Sequence, residues 1–395
     1  MMKSQRKNIP LVRVKGFEGT WELYTLGEHI EDYVEKTTVQ NQYPVLTSSQ
    51  NKGIVRQEDY FANRQVTTDS NIGYFVLPKG FFTYRSRSDN GVFKFNRNDL
   101  LDKGIISYFY PVFSIVEGDS DFYLRLLNTS ITKQVMLQAE GTGQKVLSLS
   151  KFKSIKTLVP SLPEQSAIGS LFRTLDDLLS SYKDNLANYQ SFKTTMLSKM
   201  FPKAGHKVPE IRLEGFEGEW EEKQFSKLVK RVTQSSDSDS LPKVEFEDII
   251  SGQGRLNKDI SSKFDNRKGI HFKPGYTLYG KLRPYLNNWL LPKFEGVALG
   301  DFWVFDPNGN DSNFIYYLVQ SNRYQKVAND TSGTKMPRSD WKSVSSTIFA
   351  IPQTVAEQQA IGSYFSNLDN LISSNQEKIS QLETLKKKLL QDMFI

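Results

Sequence analysis

A seven-residue motif that opens a long amphipathic stretch occurs twice in this chain, 193 positions apart. Glu164–Ser170 and Glu357–Ser363 agree at six of seven positions, and both stretches end alike, in Lys-Met-Phe and Asp-Met-Phe. Pro163 suits the first turn of a helix, where its missing N–H needs no partner, and a glutamate there complements the positive end of the helix dipole. The repeat predicts two long helices, over residues 163–201 and 356–394.

Apolar residues recur every seven positions along both predicted helices, and such a seam favours a partner helix. Even the polar interruption repeats, because Lys193 corresponds to Lys386. We therefore expect the two helices to pair with each other. The residues predicted to form this seam are Ile168, Phe172, Leu175, Leu179, Leu186, Ile361, Phe365, Leu368, Ile372 and Ile379.

The duplication extends to the segment that opens each half. Residues 10–22 recur as residues 209–221 with eight of thirteen positions identical, including a Gly-Phe-Glu-Gly-x-Trp motif. Each half then runs through a body of divergent sequence into its helix. The predicted segments are a first body over 1–160, a first helix segment over 161–201, a linker over 202–208, a second body over 209–352 and a second helix segment over 353–395.

Both bodies have the pattern of short strands, with Val, Ile, Phe and Tyr runs broken by turn residues, as at Tyr74–Leu77. Helices are predicted over 121–140 and near Asn313–Val327. The predicted fold class is α+β: two globular domains with irregular mixed sheets, separated by two long, coiled-coil-like helices.

Composition narrows the function. The chain has 395 residues, enough for two or three domains, and a net charge of +7, which is compatible with a polyanionic partner. It has no cysteine, which excludes disulfides, thiolate metal sites and cysteine nucleophiles. No signal-peptide pattern or membrane-length apolar run is visible, so we expect a cytoplasmic protein.

Motifs for catalysis are weak. Gly275–Leu282 resembles a phosphate-binding loop, but Leu282 stands where a magnesium-binding Ser or Thr is needed. The three histidines show no metal-ligand spacing and no nucleophile arrangement. We expect no catalytic residue, no metal site and no cofactor.

Basic, aromatic and amide-rich loops lie at matching places in both bodies: residues 79–90 and 281–288, then 141–145 and 331–338. Lysine neutralises phosphate, while Arg, Gln and Asn can read base edges. A solvated loop is the simplest interpretation of any one of them, but the paired occurrence favours DNA binding. The candidate DNA-binding residues are Tyr84 (alternatively a core residue), Arg85, Arg87, Gln144, Lys145, Lys281, Arg283, Asn287, Lys335 and Arg338.

Together these features resemble the specificity subunits of Type I restriction-modification enzymes. The resemblance rests on the duplicated Glu-Gln-x-Ala-Ile-Gly-Ser helix starts, the Gly-Thr-Gly-Gln-Lys and Ser-Gly-Thr-Lys-Met-Pro loops, and Gly-Lys-Leu-Arg-Pro-Tyr-Leu-Asn at 280–287. It implies two target recognition domains, each of which reads one half of a split DNA sequence. The resemblance also implies that the two helices are antiparallel and act as a spacer, each about 58 Å long.

The resemblance also implies partners: double-stranded DNA, two methyltransferase subunits on the exposed helix faces, and restriction/translocase subunits in the full complex. The methyl donor and ATP would bind to those partners, so this chain would be non-catalytic. Lys145, Lys281 and Lys335 would contact phosphate, and the other candidates base or backbone.

Two other functions stay open at this point. A stand-alone DNA-cutting or DNA-modifying enzyme would act on DNA with magnesium or a methyl donor but no partner. A coiled-coil scaffold that does not touch DNA would show no salt-sensitive DNA binding.

Overall fold

A computed structural model of the chain describes residues 8–61, 70–261, 266–330 and 336–395. The chain divides into two compact units. Unit 1 comprises Met1–Tyr182 and Lys378–Ile395, and unit 2 comprises Lys183–Glu377. Each unit contains one body together with parts of both long helices. The boundaries predicted from sequence for the bodies, helix segments and linker remain a prediction.

The described part of unit 1 is built from short strands and short helices that lead into the first long helix. Its strands are β1 (Glu22–Thr25), β2 (Ile30–Tyr33), β3 (Leu46–Ser49), β4 (Gly53–Arg56), β5 (Phe75–Pro78), β6 (Phe82–Tyr84), β7 (Arg87–Ser88), β8 (Phe95–Arg97), β9 (Lys103–Ile106), β10 (Val112–Ile115), β11 (Lys145–Val146) and β12 (Lys156–Val159). Its helices are α1 (Gln57–Tyr60), α2 (Ser120–Leu126), α3 (Thr132–Gln138), α4 (Leu149–Lys153) and the first part of α5 (Leu162–Lys199), with a 3-10 turn at Leu26–Glu28.

Unit 2 repeats this plan in its described residues. Its strands are β13 (Glu221–Gln224), β14 (Lys230–Val232), β15 (Ser235–Ser236), β16 (Lys243–Val244), β17 (Ile249–Ile250), β18 (Arg255–Leu256), β19 (Gly269–Phe272), β20 (Thr277–Gly280), β21 (Trp289–Leu290), β22 (Gly296–Ala298), β23 (Phe302–Asp306) and β24 (Ile348–Ile351). Its helices are α6 (Phe225–Leu228), α7 (Ser312–Leu318), α8 (Asn322–Ala328), α9 (Trp341–Ser346) and most of α10 (Val355–Asp392), with 3-10 turns at Phe246–Asp248 and Pro284–Leu286.

The sheets of the two units share their topology. A four-stranded antiparallel sheet has the order β2-β10-β6-β8 in unit 1 and β14-β23-β20-β21 in unit 2. The strand after the opening segment pairs with the strand before the long helix, as β1 with β12 and β13 with β24. Unit 2 also has a sheet in which β16 and β22 run parallel, so the sheets are mixed. The predicted α+β class is confirmed.

The helix predicted over 121–140 is instead two helices, α2 and α3. Asn128 lies at the break, where its side chain both accepts from the Phe95 N–H and donates to the Phe95 carbonyl. It thereby pairs the backbone of β8 at the open edge of its sheet. The helix predicted near Asn313–Val327 also breaks, because the Ser321 side chain caps α8 by accepting from the Tyr324 N–H.

Opposite ends of the two long helices meet inside each unit. In unit 1, Phe394 stacks on Phe122 with ring centroids 5.5 Å apart and lies 5.8 Å from Phe172 near the start of α5. In unit 2, Phe201 stacks on Phe365, near the start of α10, at 6.0 Å. The closing phenylalanine of each helix therefore packs in the unit that holds the other helix's start.

Two reciprocal ion pairs join the helices at the repeated polar break. In unit 2, Lys193 Nζ lies 2.7 Å from Asp369. In unit 1, Lys386 forms an ion pair with Asp176. Because both lysines and both aspartates are related by the 193-residue repeat, each lysine finds the aspartate of the other copy. This exchange fixes the helix register within both units.

The predicted seam residues differ in their burial. Leu186 and Ile379 are half-buried, at the middle of their helices. The remaining eight are buried. Leu179 and Ile372 lie towards the middle of their helices, and the six nearer the helix starts belong to the hydrophobic cores of the two units: Ile168, Phe172, Leu175, Ile361, Phe365 and Leu368.

The glutamate of each repeated helix start forms an ion pair with the opening segment of its own half. Glu164, 1% exposed, accepts from Arg13 at 2.6 Å, and this hydrogen bond raises the pKa of Arg13. Glu357 accepts from Arg212 at 2.7 Å and from the Trp220 indole N–H at 3.0 Å. Each arginine also donates to two backbone carbonyls of the Gly-Phe-Glu-Gly turn, so the two repeated motifs hold each other.

The glutamine and glycine of each helix start contact a short helix of the same body, α2 in unit 1 and α7 in unit 2. Gln165 accepts from the Asp119 N–H at 3.1 Å, and Asp119 caps α2 by accepting from Phe122 N–H at 2.9 Å. Gly169 faces this cap closely enough that an added Cβ would overlap the Asp119 carboxylate. The equivalent contacts in unit 2 are made by Gln358, Asp311 and Gly362.

Candidate nucleic-acid interface

In unit 1, backbone pairing joins the two predicted loops. Strand β11 pairs with β7, which sets Lys145 opposite Ser88 and Val146 opposite Arg87. The Gln144 amide donates to Asp89 at 2.8 Å across the same junction. Two loops more than fifty residues apart in sequence therefore form one surface.

Both arginines of this surface are exposed, and one of them, Arg87, packs on an aromatic ring. The Arg87 guanidinium lies over the Phe109 ring at 4.5 Å, which holds it in place, and Arg87 forms no ion pair within the described part of the chain. Arg85 is exposed and, among the described residues, makes no ion pair. Both line a cavity of about 490 Å³, the recognition cleft, together with Ser88 and Asn90. This geometry suits contact with phosphates or base edges.

Tyr84 is a correction to the predicted set. Its side chain is fully buried, and its hydroxyl donates to the Leu147 carbonyl at 3.1 Å. Burial raises the pKa of this phenol well above its ordinary value. The ring packs 4.9 Å from Phe95 and 5.5 Å from Phe152, so Tyr84 is a core residue of unit 1 and cannot reach DNA.

In unit 2, the two predicted loops also meet. Leu282 forms a bridge with Arg338, and the Arg283 N–H donates to the Pro337 carbonyl at 2.7 Å. Asp301 lies between the two loops, 3.0 Å from Arg338 and 3.5 Å from Lys281. These two cations are thus partly neutralised. Lys335 lies outside the described residues.

Arg283 and Asn287 have an unusual backbone. Both are left-handed, with φ of 48° and 55°, on either side of the 3-10 turn Pro284–Leu286. Residues other than glycine rarely adopt this conformation, and it concentrates at functional sites. Arg283 is exposed and Asn287 half-buried, so the turn presents both side chains at its rim.

The sequence prediction missed a polar turn in each unit. In unit 1, the turn of the β3–β4 hairpin brings Gln50 and Asn51 into the recognition cleft. In unit 2, the turn before β18 bonds the predicted loop, because the Gly252 N–H donates to the Asn287 carbonyl at 3.0 Å. The matching Asn-Lys-Gly and Gly-Gln-Gly turns, about 200 residues apart, were the available signal.

The described residues contain no group of three or more His, Cys, Asp or Glu side chains that could hold a metal ion. None of the helices in the described ranges is long and apolar enough to cross a membrane.

Known proteins of one family are similar to this chain. The family model of the Type I restriction modification DNA specificity domain matches residues 18–188 and 241–384. The MjaVIII Type I restriction enzyme specificity subunit of Methanocaldococcus jannaschii is 23% identical over 294 residues, which is 68% of this chain and 67% of that protein. The crystal structure of a Type I restriction-modification S subunit from M. genitalium has the same fold, with a TM-score of 0.61 at 13% identity over 98% of this chain and 99% of that one.

The family model covers most of the chain and falls on both halves of the duplication. The resemblance inferred from the repeated motifs is confirmed. The chain belongs to the family of Type I restriction-modification DNA specificity subunits, and its broad role is recognition of a DNA sequence.

Proposed function

We propose that this chain reads a split DNA target, with one half-site for each unit. The observation that carries the proposal is the joining of two distant polar loops by backbone pairing in both units. Each unit thus has a complete reading surface of its own. Two surfaces on one chain suit two half-sites separated by bases that neither surface reads.

The two surfaces are expected to read different bases. The unit 1 surface presents Arg85 from the connection between β6 and β7 and Arg87 from β7 itself, whereas the unit 2 surface presents Arg283 and Asn287 from a left-handed turn. The two units share a duplicated fold but carry different loops, and different loops favour a DNA target whose two half-sites differ in sequence. We keep the described candidates, without Tyr84, as the DNA-contacting set, and Lys335 remains in it from sequence alone.

We further propose that two methyltransferase subunits bind the long helices. Exposed apolar side chains recur at the same repeat positions: Leu178 and Leu371 are 42% and 44% exposed, and Phe192 and Leu385 are each 45% exposed. Unit 1 holds Leu178 and Leu385, and unit 2 holds the other two. Exposed apolar side chains repeated in this way are typical of binding surfaces, and their duplication supports two copies of one partner.

Catalysis is assigned to those partners. In this proposal the chain is non-catalytic, positions the methyltransferase on its target, and works with restriction/translocase subunits in the full complex. We place that complex in the cytoplasm, where it meets cellular DNA.

Base-resolution mapping of methylated DNA tests the proposal. Cells that contain this chain and its methyltransferase are expected to show a split methylated motif that is absent from cells without the chain. Exchanging residues 20–150 for those of a related chain should change only one half of the motif. If the chain is expressed and folded, and cells with and without it show the same methylation pattern, the adaptor role is refuted.

A matched pair of variants then tests the docking surface. Leu178→Glu and Leu371→Glu introduce the same charge at equivalent positions of the two units. Each is expected to remove one methyltransferase copy from the complex, as measured by native mass spectrometry, and the double variant both. Retention of two copies in the double variant would exclude this surface.

A further inference from the structure

Each unit has a groove between its body and its pair of long helices. The basic groove of unit 1, about 600 Å³, is lined by the β3–β4 turn, β8, α2, Asp176 of α5 and Lys386 of α10. The amide groove of unit 2, about 510 Å³, is lined by the turn before β18, β21, the residues after α7, and the same ion pair in its repeated form, Lys193 with Asp369. The two grooves occupy equivalent places in the duplicated frame.

The grooves differ in their chemistry. The amide groove has two cations, Lys193 and Arg255, among eight Asn and Gln side chains. The basic groove has five cations against two carboxylates: Lys52, Lys94, Arg97, Arg125, Lys386, Asp99 and Asp176. The two units share their fold, yet only the groove of unit 1 has this excess of positive charge. The fold does not require the excess, which is therefore a property of unit 1 alone.

The carboxylates of the basic groove are already engaged. Asp176 pairs with both Arg125 and Lys386, and Asp99 lies 2.7 Å from Arg97. Arg125 corresponds to the uncharged Tyr317 of unit 2, whose hydroxyl donates to Asp369 at 2.8 Å. Unit 1 therefore has one more cation at the floor of its groove than it needs to balance the helix aspartate.

Lys94 is left without a carboxylate. Among the described residues it forms no ion pair or hydrogen bond, although it lies within reach of the charges of Arg125 and Lys386. Desolvation by its surroundings, and then these two cations, lower the pKa of Lys94. An anion between the three side chains would relieve this repulsion. Lys94 precedes Phe95, the strand partner of Tyr84. In unit 2 the equivalent residue is Asn288, which precedes Trp289, the strand partner of Tyr279.

The basic groove continues into the recognition cleft. Asn51 and Lys94 line both, so a chain of phosphates that passes Arg85 and Arg87 can follow the surface into the groove. We propose that the basic groove binds the sugar-phosphate backbone of DNA beyond the bases that the unit 1 loops read, with Lys94 and Lys52 as the phosphate contacts. This inference rests on the proposed DNA recognition by unit 1 and adds a sequence-independent anchor to it.

The test measures the affinity of the full-length chain for duplex DNA by fluorescence anisotropy at 50 to 200 mM salt. Lys94→Gln removes one phosphate contact, which is expected to reduce the slope of log K against log salt by about 0.9. The loss of affinity is then greatest at low salt and shrinks about 3.5-fold across this range. Because the slope does not depend on sequence, target and non-target duplexes should lose affinity alike.

Two controls accompany this measurement. Lys94→Asn copies the residue of unit 2 and should give the same loss with an unchanged thermal unfolding temperature, which separates binding from folding. Arg255→Gln removes a cation from the amide groove, where no phosphate contact is proposed, and should leave the slope unchanged.

An unchanged slope in Lys94→Gln and Lys52→Gln would overturn the inference. So would a loss confined to one target sequence, which would make Lys94 a base contact, or a loss of methyltransferase binding with unchanged DNA affinity, which would make the groove a site for an acidic protein segment. If instead the wild-type chain showed no sequence preference while Lys94→Gln lowered the slope, the proposed function would fail and the phosphate site would stand.

Discussion

Replacing Phe394 by alanine is expected to destabilise unit 1 by about 3–5 kcal/mol and to leave unit 2 unchanged. The ring is 7% exposed and lies against Trp21, Phe122 and Phe172, at centroid distances of 6.5, 5.5 and 5.8 Å. Truncation leaves a cavity among rings that belong to three different segments. We expect the lower end of the range, because Phe394 lies beyond the end of α10 at Asp392, where the backbone is not held in the helix and can relax.

Hydrogen exchange followed by mass spectrometry measures this effect in each unit separately. A loss of 3 kcal/mol raises the population of the opened unit about 150-fold. Peptides that contain β2 and β10 in unit 1 should therefore exchange faster by that factor, while peptides that contain β14 and β23 in unit 2 keep their protection.

Phe201→Ala is the matched control, because Phe201 is 5% exposed and packs on Phe314 and Phe365. It should accelerate exchange in unit 2 and spare unit 1. Faster exchange in unit 2 from Phe394→Ala would refute the reciprocal packing of the helix ends.

Three further outcomes are expected. Arg283→Ala should lower DNA affinity by about 1–3 kcal/mol for one half-site only, measured with duplexes in which each half-site is varied in turn. Gly169→Ala should lower the free energy of unfolding by about 1–3 kcal/mol, measured by urea denaturation, because its Cβ displaces the Asp119 cap; an unchanged midpoint would contradict this. Buried phenols have raised pKa values, so their neutral form stabilises the fold fully below pH 10, and this stability is lost as the pH rises through the folded values. Absorbance at 295 nm should therefore show late ionisation that coincides with unfolding for Tyr84, Tyr123, Tyr279, Tyr316, Tyr317 and Tyr324.

The predicted loops show how far residue types alone can identify a site. Basic and amide residues at matching places in both halves indicated four loops, and the structure joins them in pairs within their units. Residue type could not separate Tyr84 from its neighbours, because all three residues of β6 are buried and the exposed positions begin only one residue later, at Arg85. Arg85 and Arg87 are exposed in the same stretch.

The helix break at Asn128 illustrates a second limit. Asn128, Thr129 and Ser130 are weak helix formers, but weak propensity alone does not end a helix. The amide of Asn128 satisfies both backbone groups of Phe95, on a strand more than thirty residues earlier. Such a contact depends on the sheet being formed. Sequence patterns report what a residue can do locally, and the backbone groups that need a partner become known only after folding.

The sequence by itself determined the duplication, the two long helices, the family and the chemical character of the loops proposed to contact DNA, because repeats, seven-residue periodicity and motifs are properties of the linear chain. Only the tertiary structure decided which parts serve which unit: that Lys193 pairs with Asp369 and Lys386 with Asp176, and that each closing phenylalanine stabilises the body of the other half. The physical reason is that an apolar seam states which face of a helix is buried. The seam does not specify which surface covers that face, because a partner helix running in either direction can bury the same apolar residues.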